Sequence, residues 1–220
     1  ASIGVVGGGA GGVELIMAVR QGLSRLVAKR VEDITFHLVT SGASVLPNHN
    51  RRVQQRYEQA LRRAGVSVTT NFTVVEAEAN SLTNDRGEGL AIEEVLWVTT
   101  ASAPAWPREA GLATDGAGFI RVEETLQSTT YPEIFAAGDI AAVEVHPRPK
   151  SGVFAVRQGP PLADNLRRAA AGQQTRPFRP QRQFLSLIST GSKHAIASRG
   201  AFAASGRWVW RWKDWIDRRF

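Results

Sequence analysis

Apolar runs and amphipathic stretches alternate along the first 70 residues. Ser2–Gly7 is a run of small and branched apolar residues, and residues 12–28 then place apolar side chains at i+3 and i+4 steps, the period of a helix. Further apolar runs at Ile34–Thr40 and Val66–Thr70 flank a basic helical stretch at Arg51–Ala64. This β-α-β-α-β order predicts a parallel sheet with right-handed crossovers.

The pattern changes after the third apolar run. Short apolar segments at 74–75, 81–83 and 89–92 predict a small antiparallel meander, and Val95–Thr99 is expected to return to the parallel sheet. The sequence therefore predicts an α/β fold in which residues 1–105 form a Rossmann-type domain.

The next segment carries weaker signals. Residues 101–116 are rich in alanine, proline and glycine and predict a linker. Short strands are predicted at Phe119–Val122 and Ile134–Ala137. A helix is predicted at Ser151–Ala171, and the Pro160–Pro161 pair must kink or restart it.

The C-terminal region combines short strands with a tryptophan-rich helix. Antiparallel strands are predicted at 184–188, 195–198 and 201–204, followed by a helix at Gly206–Phe220. We therefore divide the chain after the first domain into residues 106–175 and a C-terminal region of residues 176–220.

The final helix has an apolar arc on a helical wheel, formed by Trp208, Val209, Trp212, Trp215 and Ile216. A basic amphipathic helix with tryptophans is typical of a membrane interface, so residues 206–220 are a candidate for weak contact with a membrane surface. The alternative is that this face packs on the protein's own strands or on a partner domain.

Composition excludes several classes of protein. The chain has no cysteine, which excludes a disulfide scaffold, a thiolate metal site and dithiol redox chemistry. Its four histidines lack metal-ligand spacing, so we predict no metal site. No apolar run approaches the roughly 20 residues of a membrane-spanning helix. The chain starts with alanine inside its first predicted strand, which indicates a piece excised from a longer protein.

Charge is distributed unevenly along the chain. Residues 1–140 carry 12 basic and 16 acidic side chains, whereas residues 141–220 carry 15 basic and 4 acidic side chains. A basic half can face nucleic acid, an anionic membrane or an acidic neighbouring domain, or it can simply be solvated. The basic face of the helix at 51–64 lacks interleaved aromatic residues, so we do not expect nucleic-acid binding.

A glycine loop carries the clearest chemistry. Residues 7–12 fit the pattern G-x-G-x-x-G, follow a predicted strand and open a predicted helix. Gly7 would permit a tight turn, Gly9 would let a pyrophosphate approach the backbone, and Gly12 would let the helix pack closely on the strand. Together with Gly11, these glycines predict a site for NAD or NADP at the positive end of the helix.

Two positions near this loop leave alternatives open. The second strand ends without the carboxylate that usually holds the adenosine ribose, so Thr40 and Ser41 are the candidate ribose contacts and the choice between NAD and NADP stays open. Glu14 lies two residues after the last glycine. It is either a carboxylate favoured by the helix dipole or a polar group beside the nicotinamide.

Three motifs give the chain a family resemblance. Val5–Leu15 resembles the nicotinamide motif of the pyridine nucleotide–disulfide oxidoreductase superfamily. Thr99–Ala101 with Pro104 resembles its domain junction, and Ile134–Asp139 resembles its second flavin motif. The resemblance implies that residues 106–175 form a partial FAD-binding domain. It also implies that Asp139 binds the ribityl chain of FAD, and that Ala101 and Gly138 also line the cofactors.

Within the superfamily the chain resembles the type II NADH dehydrogenases, which have no redox cysteines. That resemblance implies hydride transfer from NAD(P)H to FAD and onward to an acceptor, with Glu14 and Gln158 as candidate catalytic residues. In the run Gly152–Gly159, Val153 and Arg157 replace the glutamines of those relatives, so the acceptor is left open. The resemblance also implies a cytoplasmic location, with the inner membrane face as the alternative.

The chain also resembles flavoprotein modules fused to selenide, water dikinase, and the alternative function is a non-catalytic docking or regulatory module of such a fused enzyme. The superfamily's first flavin motif is not in this sequence. We therefore expect a partner segment that supplies the missing N-terminal FAD half, no FAD bound to this chain alone, and incomplete catalysis. We also expect self-association through an exposed apolar surface formed by Phe119, Ile134, Phe135, Val153 and Phe154.

Overall fold

The computed structural model describes residues 1–181 and 183–219. The chain forms two compact units. The first joins Ala1–Thr99 to the C-terminal segment that begins at Gln183, and the second begins at Thr100. The C-terminal segment, predicted from the sequence to be separate, thus belongs with the glycine loop.

A four-stranded parallel sheet forms the centre of the first unit, with the strands side by side in the order 66–69, 35–39, 2–6 and 94–97. Its strands are β1 (Ser2–Val6), β2 (Thr35–Val39), β3 (Val66–Thr69) and β7 (Glu94–Trp97). The helices of the crossovers are α1 (Ala10–Leu26), followed by a 3₁₀ turn at Ala28–Asp33, and α2 (Arg51–Arg63). The predicted α/β fold with a parallel sheet is confirmed.

The period-2 alternation of each strand sends neighbouring side chains to opposite faces of this sheet. Val5 and Leu38 join the core with α1 and α2, whereas Val6 and Val39 pack on the other face. That other face is covered by an antiparallel meander of β4 (Val74–Glu78), β5 (Ser81–Asn84) and β6 (Gly89–Ala91). The meander predicted from the sequence is therefore present.

A second antiparallel sheet covers the two helices. It consists of β10 (Ser186–Ser189), β11 (Ala195–Arg199) and β12 (Phe202–Gly206). Ile188 and Ile196 enter the same core cluster as Ile16 of α1 and Tyr57 of α2. The C-terminal segment thus completes the core of the glycine-loop unit.

The final helix, α5 (Arg207–Asp217), packs on the outer face of this sheet. Val209 is fully buried against Ala195 and Ala197, and Trp210 packs against the same cluster. Of the predicted apolar arc, only Val209 is buried on the strands, whereas Trp208, Trp212 and Trp215 are exposed. Phe220, the predicted end of this helix, lies outside the described residues.

The second unit contains α3 (Trp106–Glu109), β8 (Ile120–Val122), β9 (Ala141–Val143) and α4 (Gly152–Ala170). The predicted linker at 101–116 is corrected, because it contains α3 and contributes Leu112 to the core of this unit. The strand predicted at Ile134–Ala137 is also corrected. That run makes one isolated bridge at Phe135, and the partner of β8 is β9.

α4 runs through both of its prolines without restarting. Pro160 and Pro161 lack the N–H groups that would bond one turn back, so the helix continues there with two hydrogen bonds fewer. Ahead of the prolines, Gln158 in the second turn of α4 accepts a hydrogen bond from the 3₁₀ turn at Gly138–Ile140.

Candidate functional site

The glycine loop joins β1 to α1 at the carboxyl edge of the parallel sheet. Gly7 has φ of 135°, and a Cβ there would lie 2.1 Å from the carbonyl oxygen of Val98. A Cβ on Gly12 would lie 1.8 Å from the carbonyl oxygen of Gly7. Only glycine fits these two positions, because any side chain would collide with backbone atoms that hold the sheet and helix together.

Gly9 differs from its neighbours because a Cβ there would meet no atom of the structure within 4 Å. Its φ of −74° and ψ of −179° are accessible to any residue. The absence of a side chain at Gly9 therefore leaves open space in front of the backbone, and the fold itself does not require glycine there.

The helix behind this space is suited to an anion. α1 has 17 residues, no acidic side chain in its first turn, and no side-chain cap at its N-terminus. The first N–H groups of a helix have no partner within the helix, and they carry the positive end of its dipole. The open space at Gly9 thus lies beside free donors that can bind phosphate oxygens.

The two candidate ribose contacts lie in different surroundings. Thr40 is 7% exposed, and its Oγ1 accepts a hydrogen bond from the Gly42 amide. A Cβ on Gly8 would lie 2.5 Å from this Oγ1, so Thr40 packs directly under the glycine loop. Ser41 is exposed, and of the two hydroxyls it is the one available to a ligand.

Glu14 contacts the C-terminal segment. Its Oε1 accepts a hydrogen bond of 2.6 Å from the amide of Ser189 and lies 3.6 Å from the Nζ of Lys213. Beside it, the carbonyl oxygens of Val13 and Ser189 share the one hydroxyl proton of Tyr57 as hydrogen-bond acceptors. Burial, and then the Glu14 carboxylate, raise the pKa of Tyr57, which therefore stays protonated.

The remaining candidate residues lie in the second unit. Ala101 is exposed in the irregular stretch that opens this unit. Gly138 has φ of 73° and begins a 3₁₀ turn that presents Asp139. Gln158 of α4 is buried, and its Oε1 accepts a hydrogen bond from the amide of Gly138. Gln158 thus holds the backbone of the turn that carries Asp139.

A cavity of about 330 Å³ opens beside this turn. Asp139, Lys150, Ser151 and Gln158 line it, as does the first turn of α4. The buried hydroxyl of Ser151 has no hydrogen-bond partner among the described residues. Carboxylate, ammonium, hydroxyl and free helix N–H groups together suit a polar ligand with both donors and acceptors.

Lys150 is one of the residues of this cavity that sequence reasoning missed. Its Nζ donates a hydrogen bond of 2.5 Å to the carbonyl oxygen of Ala141 and lies 4.0 Å from the centre of the Phe119 ring. Burial lowers the pKa of Lys150, while Asp115 and Asp139 oppose that shift. Phe119 and Phe154 are buried, which corrects the prediction that they form an exposed apolar surface.

Lys213 and Ser189 were also missed as partners of Glu14, because they are some 175 to 200 positions from it in the sequence.

Among residues 1–181 and 183–219, no three metal-ligating side chains come together. No helix in the part of the chain that the structure describes combines the length and apolar character needed to cross a membrane.

Two solved structures share this fold. The sulfide:quinone oxidoreductase of Aquifex aeolicus superposes with a TM-score of 0.76 at 15% identity, over 100% of this chain and 57% of that protein. The NDH2 of Plasmodium falciparum in complex with NADH superposes with a TM-score of 0.74 at 14% identity, over 98% of this chain and 61% of that protein.

Curated relatives give a closer similarity in sequence. A type II NADH:quinone oxidoreductase of Haemophilus influenzae is 28% identical over 148 residues, which are 64% of this chain and 33% of the relative. An NADH dehydrogenase-like protein of Mycobacterium tuberculosis is 29% identical over 164 residues, which are 74% of this chain and 40% of the relative. The chain thus spans one third to two fifths of the length of these relatives.

The family resemblance inferred from the motifs is confirmed. Residues 1–159 match the family described as pyridine nucleotide-disulphide oxidoreductase, a match that includes the glycine loop, Asp139 and Gln158. The chain belongs to the pyridine nucleotide-disulphide oxidoreductase family.

Proposed function

We propose that this chain is the NAD(P)H-binding portion of a flavin-dependent oxidoreductase, with the pyrophosphate of NAD(P)H bound at Gly7–Gly12. The observation that carries the proposal is the contrast within the loop. Gly7 and Gly12 are glycines because backbone fills the space of a side chain, whereas the space in front of Gly9 is open and lies at an uncapped helix N-terminus. A loop that served only as a turn would not need glycine at position 9.

The second unit supplies part of a flavin site in this proposal. Asp139 would accept hydrogen bonds from the ribityl chain of FAD, Gln158 would hold the turn that presents it, and Ser151 with the first turn of α4 would donate to the ring. When bound, FAD would accept hydride from NAD(P)H and pass electrons to an acceptor. The residues present fit one end of this cofactor.

The other end of FAD requires a second phosphate cradle, which we propose lies in a segment beyond these 220 residues. The glycine loop of this chain is committed to NAD(P)H in the proposal, and a cavity of about 330 Å³ holds only one end of a dinucleotide. The chain alone is therefore expected to be colourless. A stoichiometric flavin absorption band in the purified chain would contradict this arrangement.

Substitution of Gly9 tests the NAD(P)H site. In Gly9→Val a branched side chain would occupy the space that the pyrophosphate needs, and we expect NADH affinity to fall at least tenfold, or about 1.4 kcal/mol. Titration calorimetry on the chain and the variant measures this directly. The backbone angles of Gly9 suit valine, so the variant is expected to fold.

Gly22→Val provides the matched control. Gly22 lies in the same helix, and a Cβ there also meets no atom within 4 Å. It is 13 residues from Gly9, about 20 Å along the helix axis. We expect this variant to bind NADH like the unmodified chain. Equal NADH affinity in Gly9→Val and Gly22→Val would remove the loop from the site.

A contact with a membrane surface is a further part of the proposal, supported by the exposed face of α5. Trp208, Trp212 and Trp215 are 55%, 38% and 52% exposed, and the guanidinium of Arg219 lies 3.9 Å from the centre of the Trp215 ring. Exposed tryptophans beside basic side chains suit an anionic lipid interface. Cosedimentation with anionic vesicles but not with uncharged ones is expected. Binding to neither would favour docking on a neighbouring protein domain.

A further inference from the structure

An ion pair connects the last helix of the chain to the helix that follows the glycine loop. The Nζ of Lys213 lies 3.6 Å from Oε1 of Glu14 and 3.0 Å from Oδ2 of Asp217. The same Glu14 oxygen accepts the 2.6 Å hydrogen bond from the amide of Ser189. Glu14 is thus held by two groups of the C-terminal segment, one of them positively charged.

This pair is partly shielded from water. The side chains of Lys213 and Glu14 are 24% and 30% exposed. Burial lowers the pKa of Lys213, but the carboxylates of Glu14 and Asp217 outweigh burial and raise it. Lys213 therefore carries its positive charge at neutral pH, where solvent screens it less than a surface charge.

The position of Glu14 makes its charge matter for the glycine loop. Glu14 is the fifth residue of α1, about 6 Å along the axis from the first residue of the helix. A carboxylate at this distance opposes the positive end of the helix and repels a bound pyrophosphate, which carries two negative charges. The free N–H groups at the loop therefore bind a pyrophosphate most tightly when a partner neutralises the Glu14 carboxylate.

We infer that Lys213 is a positioning residue of the dinucleotide site, contributed by the C-terminal helix. Lys213 neutralises Glu14 and keeps its carboxylate directed at Ser189, so that the N-terminus of α1 retains its affinity for a dianion. The inference deepens the proposed function and rests on it. It differs from a role of Glu14 as a direct contact of the nicotinamide, because here the carboxylate acts through its partners.

Three variants of the full chain separate these roles, with NADH as the probe in titration calorimetry. In Lys213→Met the Glu14 charge is left uncompensated, and we expect NADH affinity to fall about five- to tenfold, the effect of one unit charge at this range. In Glu14→Gln the amide oxygen can still accept from Ser189, and we expect affinity at least equal to that of the unmodified chain. In the double variant we expect affinity to return to within about twofold.

Arg211→Met is the matched control. Arg211 is an exposed residue of the same helix, and its replacement removes the same charge without touching Glu14. We expect this variant to bind NADH like the unmodified chain. A drop in Arg211→Met equal to that in Lys213→Met would assign the effect to net charge and overturn the inference.

The outcomes distinguish the inference from the proposed function. If the unmodified chain does not bind NADH, the proposed function fails. If the chain binds NADH and Lys213→Met binds equally well, the inference alone fails. Weaker binding by Glu14→Gln would show a direct contact with the ligand and overturn the inference. Loss in Lys213→Met that the double variant does not restore would mark a purely structural role and would also overturn it.

Discussion

At the scale of single residues, the loop distinguishes glycines that the fold requires from the one that leaves space for a ligand. Gly7 and Gly12 face backbone oxygens at 2.1 and 1.8 Å from a Cβ, so both would be needed even in a protein without a cofactor. Gly9 faces open space. The pattern G-x-G-x-x-G requires glycine at all three positions, and only the structure shows that the reason differs between them.

Ser41 is the residue that we expect to govern the choice between NADH and NADPH. In Ser41→Asp a carboxylate would accept hydrogen bonds from the ribose 2′-hydroxyl of NADH and repel the 2′-phosphate of NADPH. We expect NADPH affinity to fall about tenfold or more, with NADH affinity unchanged or improved. Calorimetric titration of each cofactor into the variant measures both effects.

Ser41→Ala serves as the neutral control for this prediction, and we expect it to change the ratio of the two affinities by less than about threefold, or about 0.7 kcal/mol. An unchanged ratio in Ser41→Asp would place the ribose elsewhere. Thr40 is not suited to the same test. A carboxylate at Thr40 would be buried against the glycine loop, and the resulting loss of stability would obscure any effect on the ligand.

Sequence reasoning found the candidate residues here but not their surroundings. Thr40 and Ser41 are adjacent and both carry hydroxyls, so the sequence gives no reason to separate them. The loop that follows them returns to the glycine loop, where the Leu46 amide donates a hydrogen bond to the Gly8 carbonyl oxygen. Such a contact depends on the folded path of residues 41–50, which carries no periodic pattern.

At the scale of elements, α1 is bound on three sides. The parallel sheet packs on one face, α2 contacts it through Tyr57, and β10 contacts it through the amide of Ser189, which donates to Glu14. The position of the helix N-terminus, with its free N–H groups, is therefore fixed by elements at both ends of the chain.

Tyr57 provides a test of this arrangement. Its side chain is fully buried, and its one hydroxyl proton is shared between a carbonyl oxygen of α1 and one of β10. Tyr57→Phe keeps the ring but leaves these two acceptors without their donor. We expect the free energy of unfolding of the first unit to fall by about 1–2 kcal/mol. Urea unfolding followed by far-UV circular dichroism measures the loss.

Tyr131→Phe is the control for this measurement. Tyr131 is the other tyrosine of the chain and is 40% exposed, so its replacement should change stability by less than about 0.5 kcal/mol. Equal unfolding free energies for the two variants would show that the Tyr57 hydroxyl does not join α2 and β10 to α1.

Elements with a strong period were predictable, and elements fixed by long-range pairing were not. α1, α2 and the three-stranded C-terminal sheet follow apolar patterns that the sequence displays. The run Ile134–Ala137 is as apolar as a strand, yet β8 pairs with Ala141–Val143 instead. The contact face of α5 was also beyond prediction, because which side of a helix is buried depends on the strands beneath it.

At the scale of the whole molecule, the chain folds as two compact units, and its C-terminal segment belongs to the first. The division of the chain predicted from the sequence had instead made this C-terminal segment a region of its own. Ile188 and Ile196 instead complete the core around Tyr57, a contact between residues more than 130 positions apart. The pattern of a single sequence carries no signal for such a pairing, whereas the order of strands and helices was enough to predict the Rossmann-type sheet.

The central claim is that NAD(P)H binds to the free N–H groups at the start of α1. The most direct test is the change in backbone amide chemical shifts of the isotope-labelled chain during titration with NADH. We expect the largest shifts at the amides of Ala10, Gly11 and Gly12, with smaller ones at Ser41. Unchanged shifts at those three helix amides under saturating NADH, with the largest changes at the cavity lined by Asp139 and Gln158, would contradict the claim.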